Sequence, residues 1–136
     1  MIAVADSSSL IALSICNRLD LLDMFFDKII VPKAVYNEIT LNDKPESEKL
    51  RNYLSNKVSK ENIGEYLLND ICLGQGELEA IALCKAINAD FLIIDDRLAK
   101  KIQTESGDNI IKDFKNYGNF SIKKCYNIYD KINKII

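Results

Sequence analysis

The chain has 136 residues, 48% of them hydrophobic and 28% charged, with a net charge of −2 and no histidine. That length fits one domain with a sizeable core, and the composition is that of a globular protein rather than a disordered one. No apolar run is long enough to span a membrane, the start MIAVADSSS lacks the basic stretch of a signal peptide, and a chain without histidine has no Ser-His or Cys-His nucleophile.

The apolar run IAVA at residues 2–5 reads as a buried strand. Asp6, Ser7, Ser8 and Ser9 then offer helix caps, and a helix follows to about Cys16. Residues 19–26 form a second amphipathic helix and residues 28–31 a second strand. Pro32 suits the first turn of a helix running to about Thr40. A turn at 42–45 leads into a helix at 46–54. Residues 58–63 read as either a short strand or a loop. Gly74-Gln75-Gly76 breaks the chain before a strong helix from Glu77 to about Ile87, and Asn88-Ala89-Asp90 turns it back. FLII at 91–94 is a third, fully apolar strand. Beyond it, residues 97–106 read as helix, 109–111 as a short strand and 122–136 as a closing helix. Strands that alternate with helices and are apolar on both faces predict an α/β fold, a mostly parallel sheet between helical layers. The chain reads as a single domain over residues 1–136, with 1–105 carrying the pattern and 106–136 a divergent basic part.

Carboxylates stand beside these core elements: Asp6 after the first strand, Glu38 in AVYNEI, Glu77 in GELEAIAL, and Asp95 with Asp96 after FLII. Buried negative charge is costly unless something compensates it. In parallel sheets ligands bind beyond the carboxyl ends of the strands, where Asp6 and Asp95 stand. Two carboxylates 4 Å apart repel by about 4 kcal/mol at an effective dielectric near 20. A divalent cation such as Mg²⁺ or Mn²⁺ removes that penalty and suits hard oxygen donors. Each residue also has a plainer reading. Asp6, Ser7, Ser8 and Asp96 can cap helices, Glu77 can complement a helix dipole, and Glu38 can be a surface residue. Glu79, two positions from Glu77, points elsewhere on a helix and reads as supporting or solvent-facing.

Charge is unevenly placed. Residues 1–96 hold 9 basic and 16 acidic side chains, whereas residues 97–136 hold 9 basic and 4 acidic. The basic C-terminal part can hold a polyanion against an acidic metal site, or it is a solvated lysine surface. Lys100, Lys101, Lys112 and Lys115 are the candidate contacts to a nucleic-acid backbone. Cys16, Cys72, Cys84 and Cys125 are scattered without a CxxC pair and read as free thiols acting as small hydrophobes, which fits a reducing cytoplasm. No phosphate-binding GxxxxGK[ST] or GxGxxG motif occurs.

Together, DSSSLIAL at 6–13, VPKAVYNEI at 31–39, GQGELEAIAL at 74–83 and IDDR at 94–97 resemble the motifs of the PIN-domain family, which includes the VapC-type ribonuclease toxins. The spacing of 18 residues from Glu77 to Asp95 resembles that between the family's third and fourth acids. The resemblance implies a three-layer PIN-like fold and Mg²⁺- or Mn²⁺-dependent cleavage of RNA. It implies Asp6, Glu38, Glu77 and Asp95 as the catalytic, metal-binding acids, with Asp96 beside them and Ser7 and Ser8 in support. It also implies an antitoxin partner and a homodimer. The likeness covers roughly residues 1–100. SGDNIIKDFKNYGNF at 106–120 departs from it, lacking the GT-containing turn common in this subgroup. A catalytically silent PIN-like module that binds nucleic acid or protein is the alternative. A phosphatase or receiver-like domain ranks last, lacking a strand-end Lys or Thr.

Overall fold

The structure, a computed structural model, describes residues 1–41, 43–67, 74–94 and 125–127. Four parallel strands form one sheet in the order β2-β1-β3-β4: β1 (Ile2–Ala5), β2 (Lys28–Ile30), β3 (Phe91–Ile94) and β4 (Cys125–Asn127). The helices are α1 (Ser7–Ile15), α2 (Asp20–Phe25), α3 (Lys33–Thr40), α4 (Ser47–Leu54) and α5 (Gln75–Ala86), with one 3₁₀ turn at Gly64–Tyr66. Ala3, Val4 and Ala5, like Leu92, Ile93 and Ile94, are fully buried in succession. Successive strand residues point to opposite faces, so both faces of the sheet are covered, as the unbroken apolar runs predict.

The chain leaves β1 towards β2 on one side, then returns across it to build β3 on the other. The strand order therefore reverses between β1 and β3, which creates a crevice at their carboxyl ends. Ala5 is level with Ile93, and the Asp6 N–H donates to the Ile93 carbonyl at 3.1 Å. The two strands that each precede an aspartate are neighbours.

Helix ends follow local chemistry. Asp6 caps α1, accepting the Ser9 N–H at 2.9 Å. Asn17 and Asn88 take positive φ of 55° and 49° just beyond α1 and α5. Each makes a Schellman end: Asn17 N–H donates to Ser14 O and Arg18 N–H to Leu13 O; Asn88 N–H donates to Lys85 O and Ala89 N–H to Cys84 O. Asp90 then ties the start of β3 to that of β1, its carboxylate accepting the Ile2 N–H at 2.8 Å.

One expectation changes and one open reading is resolved. Residues 125–127 are strand, not part of a closing helix, and pair along β3 from Leu92↔Cys125 to Ile94↔Asn127. The edge of β3 presents unpaired backbone groups, and satisfying them outweighs the helical spacing of the local sequence. Of the ambiguous stretch at 58–63, Val58 makes a single parallel bridge to Val31, after which Ile63 leads into the 3₁₀ turn.

The half-buried Glu46 joins α4 to α1. It accepts the Ser14 hydroxyl and pairs with Lys49 at 3.0 Å, while Lys49 Nζ donates to Ser14 O and Asn17 Oδ1. The Ser14 hydroxyl, and after it Lys49, hold the Glu46 carboxyl below its ordinary value of 4.5. A carboxylate depressed on folding contributes stability that is present above its unfolded pKa and lost as pH falls through the folded value. Glu46→Gln is therefore expected to melt in less urea than the parent at pH 7, with the gap closing progressively below pH 4.5. A gap that is constant with pH would contradict this.

Candidate functional site

Asp6 is only 2% exposed although it is a carboxylate, because the chain passes directly from the buried β1 into α1. Glu38 lies in the second turn of α3 and is exposed. Its Oε2 accepts the Ser7 hydroxyl at 2.8 Å. Gly76, second residue of α5, faces the same point: a Cβ there would stand 2.7 Å from Glu38 Oε2 and 3.6 Å from Ser7 Oγ. The contact of Ser7, Glu38 and Gly76 thus gathers three chain segments. Asp6 precedes Ser7, Glu77 follows Gly76, and Glu38 is itself a member.

The helix that carries Glu38 is held at both ends. Glu79 of α5 accepts the Ala34 N–H in the first turn of α3 at 3.3 Å and is bonded by Gln75 Nε2 at 2.8 Å. An acid there also complements the helix dipole. At the other end Arg51 of α4 donates to the Thr40 carbonyl. Glu77 is half-buried, and its Oε2 accepts the Gly74 N–H at 3.2 Å, the return half of a capping box.

Of the sequence-derived acids, Asp6, Glu38 and Glu77 are brought to neighbouring segments. Among the described residues no three Cys, Asp or Glu side chains are grouped to hold a metal ion. Asp6 accepts the Ser9 N–H and Glu77 the Gly74 N–H, each through one carboxylate oxygen. Asp95 and Asp96, directly after β3, lie outside the described residues, as do Lys100, Lys101, Lys112 and Lys115. Ser7 meets Glu38 as a supporting residue would; Ser8 is half-buried in the same first turn. Sequence reasoning missed one contributor: Gly76 read only as a helix breaker. Glu79 takes the supporting one of its two readings by bonding another helix, and the Ser9 N–H meets Asp6 as the capping reading has it. The one signal was the placement of Gly76 directly before an acid within a helix start, where glycine is otherwise a poor choice.

A cavity of about 820 Å³ lies elsewhere, between the start of α3 and residues 55–61, and includes Lys33, Tyr36, Lys60 and Glu79 but none of the candidate acids. Tyr53, whose phenol is pushed up by burial and then by Asp23, also serves packing: its hydroxyl donates to Asp23 at 3.2 Å and its ring carries Lys57.

The donor set is all oxygen, suited to a hard divalent ion, and the bare Gly76 leaves the space in which the Glu38 carboxylate sits. A family model described as a PIN domain matches residues 2–111. No curated protein and no solved structure matches the chain.

Proposed function

Because the chain belongs to the PIN-domain family, we propose that it is a Mg²⁺- or Mn²⁺-dependent endoribonuclease and the toxin of a toxin–antitoxin pair. PIN domains are typically nucleases that use divalent metal, and the buried Asp6 at the strand-order reversal is the observation that carries the reading here. Asp6, Glu38 and Glu77 would hold the ion together with Asp95, and Asp96 stands beside them. When bound, the ion supplies Lewis acidity to the scissile phosphate. The chain's own residues do the rest. Asp6 presents a carboxylate fixed by its cap bond, and Ser7 orients Glu38 by donating its hydroxyl. Glu79 and Arg51 fix the helix from which Glu38 projects.

The substrate would be RNA, its backbone held by Lys100, Lys101, Lys112 and Lys115 from the basic C-terminal part. An antitoxin would cover the site, and the active form would be a cytoplasmic homodimer of single-domain chains. Among the described residues no helix is long and apolar enough to cross a membrane.

The test is cleavage of single-stranded and structured RNA by the purified chain, with EDTA and then with Mn²⁺ or Mg²⁺ restored. Metal-dependent stabilisation worth several kcal/mol predicts a rate at least about 10²-fold higher with metal. A folded chain that neither cuts RNA nor binds Mn²⁺ at millimolar concentration would instead be a silent PIN-like binding module. The bond of Glu77 to the Gly74 N–H, which gives that acid a plain capping role, is the observation that favours this second reading.

A further inference from the structure

We propose that Gly76 is a positioning residue: its missing side chain leaves the space in which Ser7 holds the Glu38 carboxylate, and this sets Glu38 for the metal. The inference rests on the metal-site reading above. A Cβ at Gly76 would meet Glu38 Oε2 at 2.7 Å, nearer than real Cβ atoms come, whereas Val35 Cγ2 at 3.5 Å and Ser7 Oγ at 3.6 Å are in ordinary contact range. Of these three neighbours only the carboxylate is excluded by a methyl group. Gly76 sits in the first turn of α5, where alanine is the better helix former, so glycine is not there for the helix.

The clash also has a clear loser. Gly76 is buried on a helix packed against α3, β1 and β3, while Oε2 is the far end of a long, exposed side chain. A methyl at position 76 therefore leaves the backbone in place and moves the Glu38 carboxylate off the Ser7 hydroxyl. Glu38 keeps its identity and loses its setting. Removing groups that orient a metal ligand typically costs about 10- to 100-fold in metal affinity.

The experiment is a cycle of four full-length proteins: wild type, Gly76→Ala, Glu38→Ala and the double variant. Each is titrated with Mn²⁺ by calorimetry and melted without metal. Gly76→Ala is expected to weaken Mn²⁺ binding about tenfold in the wild type and to have no further effect once Glu38 is alanine. No weakening in the wild type, or equal weakening in both backgrounds, overturns the proposal. Without metal, Gly76→Ala is expected to shift Tm more favourably in the Glu38→Ala background, where the methyl meets only the ordinary contacts of Val35 and Ser7. Equal shifts in both backgrounds overturn the proposal on their own. A wild type that binds no Mn²⁺ overturns the metal reading instead, and the melting comparison then decides whether Gly76 sets Glu38.

Discussion

Asp6→Asn is expected to reduce metal-dependent RNA cleavage by at least about 10²-fold while leaving the fold intact, because the site loses charge and the helix keeps its cap. The separation follows from the two roles that one side chain fills. Oδ1 accepts the Ser9 N–H at 2.9 Å, and an amide oxygen accepts that bond equally well, since Asn and Asp rank together as N-caps. The negative charge has no such substitute: a neutral amide oxygen is a far weaker ligand for Mg²⁺ or Mn²⁺. Initial cleavage rates at saturating Mn²⁺, read beside Tm, check both halves. Asp6→Ala makes the contrast, since it loses the cap as well and is expected to cost about 1 kcal/mol of stability. The same loss of cleavage is expected of Asp95→Asn. Undiminished cleavage by both asparagine variants would end the metal-site proposal.

What the sequence made legible was whatever is decided within a few residues. IAVA and FLII are strands because four consecutive apolar residues need cover on both faces, and both are buried. Asp6 and the Asn88 turn are legible because capping chemistry is local. The adjacency of β1 and β3, which joins Asp6 to the strand preceding Asp95, does not follow from the alternation of elements; it appears only in the register Ala5↔Ile93. What was not legible depends on partners distant in the chain. Residues 125–127 have a helical neighbourhood by spacing, yet the open edge of β3, some thirty residues earlier, makes them strand. Glu79 was rightly separated from Glu77 by helical geometry, but its target, the Ala34 N–H, belongs to another helix. Gly76 showed as a break in the pattern; only the packing of α3 on α5 shows whose carboxylate occupies the space. The candidate site was therefore readable as a set of acids and unreadable as an arrangement.

Leu92→Ala is expected to do the reverse of Asp6→Asn: a large loss of stability with little direct effect on the site. Leu92 is fully buried at the centre of the sheet, level with Val4 of β1 and with Cys125 of β4. Truncating such a residue removes its transfer free energy and leaves a cavity, because the surrounding core relaxes only in part, at a cost of about 2–5 kcal/mol. Strands paired on both sides have little freedom to close the gap, which places the cost in the upper part of that range. Against a total stability of about 5–15 kcal/mol, that is a large share, and it lowers Tm by about 10 °C or more. Urea unfolding checks it: the midpoint falls and the slope stays the same if the unfolded states expose equal surface. Well below the lowered Tm, the folded molecules are expected to keep wild-type Mn²⁺ affinity, since Leu92 belongs to the buried hydrophobic core. A Tm within about 2 °C of the parent would mean that the side chain is not packed as the strand register requires. Lost Mn²⁺ binding by still-folded Leu92→Ala would mean that the acids depend on the sheet interior for more than their placement at its edge.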